Sequence, residues 1–157
     1  MDFNPQDEAL KLDRQLCFPL YACARQVVNL YTPILKPLGL TYTQYIVFLV
    51  LWEQDDITVG EICGRLHLDN GTLTPLLKKM EKEGYVVRRR SRNDARVVAV
   101  SLTEKGRALR GVAQNVPARV GSCMPLSPED AAALYRLLYK ILNADKPKGE
   151  NEDAGDL

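Results

Sequence analysis

Between Thr58 and Thr103 the hydrophobic period changes once, from helical to extended, and this switch constrains the fold more than any other feature. Thr58 precedes Val59 to Leu66, where Ile62 and Leu66 stand four apart on one helix face. A break follows at His67-Leu68. Asp69 is a good N-cap for a helix running through Lys82, because its carboxylate can accept from the orphan amides of the first turn. Leu73, Leu77 and Met80 give that helix an inward stripe, and Gly84 suits the position just past its end. The period then becomes that of a strand. Tyr85-Val86-Val87 leads into Arg88-Arg89-Arg90, and Val97-Val98-Ala99-Val100 returns after the turn-rich Ser91-Arg92-Asn93-Asp94-Ala95. Helix, tight link, helix and hairpin make a winged helix-turn-helix. The fold class expected is mainly α with a small β-hairpin wing.

The flanks are helical. Leu12, Leu16, Leu20, Val27, Leu30 or Tyr31, Ile34 and Leu38 predict one long helix from 12 to 38, bent at Pro19 and ended by Pro37 and Gly39. Thr41 or Thr43 caps a second helix to about Glu53. Its stretch Ile46 to Trp52 has no polar side and belongs at the centre of the fold, with Trp52 in the core. Thr103 caps a helix from Glu104 to about Val116, and Pro117 and Pro125 bracket a segment left unassigned. Ser127-Pro128-Glu129-Asp130 is a strong helix start, with a serine cap, an early proline and acids in the first turn. Leu134, Leu137, Leu138, Ile141 and Leu142 continue it to about Asn143. The reading is one domain. Residues 41–103 form the winged lobe, 12–38 and 104–143 a helical dimerisation region, and 144–157 a polar tail expected to be disordered.

Composition excludes several classes. Of 157 residues, 46% are hydrophobic and 26% charged, as in an ordinary globular chain. The longest apolar run, Tyr45 to Trp52, is far shorter than the roughly 18–20 residues that span a bilayer, so no membrane role is expected. The acidic N-terminus lacks a secretory pattern, and a cytoplasmic location is expected. The cysteines, at 17, 23, 63 and 123, have no metal-ligand spacing, and the single histidine, His67, has no cysteine pair nearby. No metal or other cofactor is expected. In the cytosol each cysteine is a small buried hydrophobe or a reactive thiol. Cys63 falls on an apolar helix face and reads as packing, while Cys23 lies about 600° around the helix from Cys17 and faces away from it.

A formal net charge of +1 argues against a nucleic-acid binder until it is resolved along the chain. Residues 1–13 and 145–157 each contribute −3, whereas Lys78 to Arg96 holds eight basic residues against three acids. That local +5 suits phosphate neutralisation and counterion release. Asp69, Asn70, Thr72 and Thr74 sit near the N-terminus of the second helix of the pair, where recognition side chains reach base edges. Asn can pair bidentately with adenine, and Thr can touch a thymine methyl. Lys78, Lys79, Arg88, Arg90, Arg92 and Arg96 supply the basic face, and an arginine at the hairpin tip fits a narrow minor groove. His67 reads as a capping or phosphate-contacting residue, or as an ordinary surface histidine. The flanking helices are long enough for a two-fold interface, which would set two recognition helices about 34–36 Å apart on pseudo-palindromic double-stranded DNA.

At this point the chain resembles the MarR family. Asp94-Ala95-Arg96-Val97-Val98-Ala99-Val100-Ser101-Leu102-Thr103 has that family's wing pattern, and the resemblance covers about residues 12–143. A narrower resemblance is to its organic-hydroperoxide sensors, the OhrR type. It rests on Leu16-Cys17-Phe18-Pro19-Leu20-Tyr21, Tyr31-Thr32-Pro33-Ile34-Leu35, Leu40-Thr41-Tyr42-Thr43-Gln44-Tyr45, and Leu68 to Lys78. The resemblance implies a homodimeric repressor, not an enzyme, with organic hydroperoxide as effector. It implies that Cys17 is the redox-sensing thiol and that Tyr31 and Tyr42, the latter from the other subunit, hydrogen-bond to it. The thiolate is the nucleophile in such chemistry, and phenol donors and a helix's positive end both favour the anion. Members of this branch resolve the oxidised sulfur either with a second cysteine or with an external thiol. Cys123 lies about where two-cysteine members carry theirs and is taken as the resolving residue. Asp94 is expected to brace a wing arginine while Arg96 enters the minor groove. Two alternatives stay open: a MarR-type repressor released by a small aromatic or lipophilic ligand, and a thiol-dependent peroxidase using Cys17.

Overall fold

The computed structural model describes residues 8–90 and 97–144. These fall into two units, one up to Cys123 and one from Met124 onward. In the first, a short 3-10 turn (Leu12–Arg14) precedes α1 (Cys17–Leu35), and a second 3-10 turn (Lys36–Leu38) leads to α2 (Tyr42–Glu53). Then come β1 (Ile57–Thr58), α3 (Val59–Leu66), α4 (Asn70–Lys82), β2 (Val86–Arg90), β3 (Val98–Leu102), α5 (Glu104–Ala113) and α6 (Val116–Gly121). The second unit carries α7 (Pro128–Leu142). None of the described helices alone is long and apolar enough to cross a membrane.

The expected caps form. Thr41 and Thr58 each accept from the amide three residues on, and Gln44 and Glu61 reach back to complete capping boxes. Asp69, Thr103 and Ser127 cap α4, α5 and α7. Gly84 takes a left-handed φ of 76° just past α4 and Gly39 one of 69°, which glycine adopts without a Cβ penalty. His67 adopts the same region and ends α3, so its role in the described fold is a C-cap.

Three expectations need correcting. The predicted helix from Leu12 is broken, because α1 begins at Cys17. Pro19 therefore lies in the first turn, where the missing N–H would have had no partner, and it bends nothing. The predicted helix from Glu104 to Val116 ends at Ala113, and the unassigned stretch around Pro117 forms α6, with Pro117 in its first turn. The sheet has a third strand. β1 pairs antiparallel with β3, Ile57 opposite Val100, so β3 is central and β1 and β2 flank it.

The core lies where the two periodicities converge. Tyr45, Val47, Phe48, Val50 and Leu51 of α2 pack with Ile62, with Leu73, Leu77 and Met80, and with Val86, Val100 and Leu102. Fully burying each such side chain contributes about 1.5–3 kcal/mol. Trp52 is half-buried at the edge of this core, and its Nε1–H donates to the carbonyl of Gly106 at 3.1 Å. A Cβ on Gly106 would lie 2.3 Å from the Tyr85 carbonyl oxygen, which already accepts from the Thr103 amide at 3.0 Å. Backbone cannot swing aside as a side chain can. Gly106→Ala is therefore expected to destabilise by ~1–3 kcal/mol, read as a lower urea midpoint at unchanged slope. An unchanged midpoint would show that the α5–β2 junction is slack.

Candidate functional site

Two sites must be built, a nucleic-acid face and a thiol centre. On the face, Asp69, Asn70, Thr72, Lys78 and Lys79 are exposed on α4 and its cap, and Thr74 is half-buried. Asp69 holds the start of α4 by accepting from the Thr72 amide and from the Thr72 hydroxyl, both at 2.8 Å. The Thr72 side chain, followed by that amide, holds the Asp69 carboxyl below the usual carboxylate range. Asn70 Oδ1 accepts from the Cys63 thiol at 3.4 Å. That bond uses one lone pair of Oδ1 and leaves the second lone pair and the Nδ2 donors for a base edge. Burial, and then the Asp69 charge, push the Cys63 thiol up, so it persists as a neutral donor. Cys63 is also packed against the core, as its helix face implied. A groove of about 420 Å³ runs between these helices and the strands, lined in part by Thr58, Gly60, Asn70, Thr74 and Arg88.

The wing base is braced in two ways that the sequence concealed. Arg88 donates to Glu81 three times, from its amide at 2.9 Å, its Nε at 3.0 Å and its Nη2 at 2.8 Å. It is half-buried, tied to the end of α4, and does not point outward. Its amide, Nε and Nη2 serve Glu81, so Arg88 acts first as a brace of the wing base. On the other side, Asp55 and Asp56 clamp the sheet. Asp55 accepts from the Leu102 amide at 2.8 Å and pairs with Arg107 at 2.9 Å. Asp56, at a left-handed φ of 57°, accepts from Ser101 at 2.6 Å and from Arg89 at 3.1 Å. Arg90 is exposed on β2. Arg92, Asp94 and Arg96 lie outside the described residues.

These carboxylates give a pH prediction. The carboxyls of Asp56, Glu61, Asp69 and Glu81 are all held low, chiefly by hydrogen bonds from Ser101, Thr58, Thr72 and Arg88 respectively. A carboxyl whose folded value is depressed adds stability above its unfolded value, near 4, and loses it as pH falls through the folded value. The urea midpoint is expected to be flat above about pH 5 and to fall steadily below about pH 4. Glu81→Gln should reduce that slope, and an equally steep fall in the variant would contradict the assignment.

The thiol centre begins at the first position of α1. Cys17 is a free, exposed thiol at the helix end where the peptide dipole favours negative charge. Around it Leu16 is 74% exposed, and Phe18, Leu20 and Tyr21 are exposed as well. Tyr31 follows on the same helix fourteen positions later. At the helical rise that is about 21 Å away, so Tyr31 of one chain does not reach its own Cys17. What the fold does bring together is the tyrosines. The rings of Tyr31 and Tyr42 lie 4.8 Å apart and those of Tyr31 and Tyr45 5.7 Å apart. Burial raises all three phenols, which keeps them neutral O–H donors. Cys123 is free and exposed just past α6, its thiol donating to the Arg119 carbonyl at 3.3 Å. Cys23 is exposed on α1. Among the described residues no cluster of His, Cys, Asp and Glu could hold a metal ion.

The family model described as transcriptional regulator SarA/Rot matches residues 29–110. An organic hydroperoxide resistance transcriptional regulator from Bacillus subtilis (strain 168) is 44% identical over 133 residues, which cover 85% of this chain and 90% of that one. The chain belongs to the MarR family of transcriptional regulators, in its OhrR-type branch. Solved structures agree with the regulator's fold. Reduced AbfR bound to DNA, a protein of Staphylococcus epidermidis, matches with a TM-score of 0.71 at 34% identity over 89% of this chain and 97% of that one. The disulfide form of AbfR matches with a TM-score of 0.61 over 87% and 96%. The winged helix-turn-helix with its small antiparallel sheet is thus the architecture of this regulator.

Proposed function

We propose that this regulator is a homodimeric repressor that holds operator DNA when reduced and releases it when an organic hydroperoxide oxidises Cys17. The observation that carries the reading is the placement of Cys17: a free thiol at a helix N-terminus, set among exposed apolar side chains. The relatives named above support it. The thiolate sulfur attacks the terminal peroxide oxygen, the O–O bond breaks, and the alcohol leaves with a proton, giving a sulfenic acid. The apolar surround favours a lipid-like peroxide. Because Tyr31 is too far along its own helix, both Tyr31 and Tyr42 reach Cys17 from the partner protomer. The sensor site is then complete only in the dimer. The apolar side chains Leu134, Leu137, Ile141 and Leu142 of α7 are exposed in the single chain and suit a dimer contact of their own.

The Cys123 thiol of the partner then attacks the sulfenic sulfur, and a disulfide forms as water leaves. The bridge draws on the start of α1 and the segment just past α6, and changes the spacing of the two recognition helices, which must dock together. A non-reducing gel tests this step. Peroxide should produce a covalent dimer band that dithiothreitol removes and that Cys123→Ser lacks. A band that persists in Cys123→Ser would transfer resolution to another thiol.

A further inference from the structure

Gln44 is 1% exposed, a polar side chain in the apolar core of the winged lobe. It lies two residues after Tyr42, in the first turn of α2. Its Oε1 accepts from the Thr41 amide at 2.9 Å and the Thr41 hydroxyl at 3.2 Å, which completes the capping box. That box needs only the oxygen. The nitrogen does something else: Nε2–H donates at 2.9 Å to Glu83 Oε2, thirty-nine positions along the chain. Glu83 is the residue that ends α4, its amide donating to the Lys79 carbonyl at 2.9 Å. Its other carboxylate oxygen lies 3.9 Å from Lys79 Nζ on the exposed side of α4. A buried amide donating to a carboxylate is among the stronger protein hydrogen bonds, and losing the partner leaves a buried donor unsatisfied. The first turn of α2 and the last turn of α4 therefore move together or break this bond. The aromatic packing runs the same way, with Phe48 of α2 edge-on to Tyr85, just past α4, at 5.5 Å.

We propose that Gln44 is a positioning residue that couples the sensor side of the fold to the recognition helix through its hydrogen bond to Glu83. The inference rests on the reading above, in which Tyr42 faces the partner's Cys17. When oxidation of that thiol changes its contact with Tyr42, the first turn of α2 shifts. Gln44 passes the shift to the end of α4 and to Lys79.

The test uses the full chain and a DNA duplex selected from a random pool by the reduced protein. Affinity is measured before and after cumene hydroperoxide, and Cys17 oxidation is followed by peptide mass. Glu83→Ala replaces a half-buried surface side chain and leaves the core packing in place. It should bind when reduced and oxidise at Cys17 as the unsubstituted protein does, yet lose at least fivefold less affinity on oxidation. The pair Gln44→Glu with Glu83→Gln exchanges donor and acceptor and should restore the full response. A Glu83→Ala response as large as that of the unsubstituted protein overturns the proposal, because Gln44 would then only start a helix. So does an exchanged pair that stays as unresponsive as Glu83→Ala. If the unsubstituted protein keeps its DNA with Cys17 oxidised, the sensing reading itself fails, and no variant is needed to see it.

Discussion

Cys17→Ser is expected to bind operator DNA as tightly as the unsubstituted protein and to keep it after organic hydroperoxide is added. Serine is close in size to cysteine, and position 17 is exposed, so the fold should not notice the change. What disappears is the sulfur, and with it the only step that breaks the peroxide O–O bond. Couplings between an effector and a second site are typically about 5–150-fold in affinity, and the whole of that response should vanish. Binding measured by fluorescence anisotropy, with and without cumene hydroperoxide, reads it directly. Cys23→Ser and Cys63→Ser serve as controls and should respond fully. If Cys17→Ser releases DNA as well as the unsubstituted protein does, another group senses the peroxide.

The second large effect concerns the recognition helix. Lys78 is exposed on α4 and forms no ion pair among the described residues, whereas Lys79 stands near Glu83. A lysine that neutralises one phosphate adds about 0.9 to the slope of log affinity against log salt, and a dimer counts it twice. Lys78→Ala should therefore lower that slope by about 2 and weaken binding almost equally for every duplex sequence. Arg88→Ala should behave differently. It removes the brace between β2 and Glu81, so its loss of affinity should come with a lower urea midpoint and little change in salt slope. Equal salt slopes for Lys78→Ala and the unsubstituted protein would remove Lys78 from the phosphate-contacting set.

Much of the fold was legible because burial here is one-sided. Leu73, Leu77 and Met80 repeat at helical spacing since only one face of α4 meets the core, and all three are buried. The caps at Thr58, Asp69 and Ser127 were legible because orphan amides need an oxygen close in sequence. β1 was not, since two residues leading straight into a helix show no period. The three consecutive arginines read alike in sequence, but strand alternation turns Arg88 to the face that meets Glu81 and Arg89 to the opposite face, where it pairs with Asp56, while Arg90, at the strand end, is exposed. That difference depends on where α4 ends, which no local pattern states. Cys17 was legible through the resemblance of its surroundings. The tyrosines proposed to face it came from the same resemblance, which carries no geometry. Only the length of α1 shows that Tyr31 and Cys17 of one chain stand apart.

The most direct measurement titrates cumene hydroperoxide into the reduced protein on its operator while free Cys17 thiol and bound DNA are followed in the same samples. The account predicts that DNA leaves in step with the loss of the Cys17 thiol. DNA release while Cys17 remains a free thiol, or full oxidation of Cys17 with the DNA still bound, would contradict it.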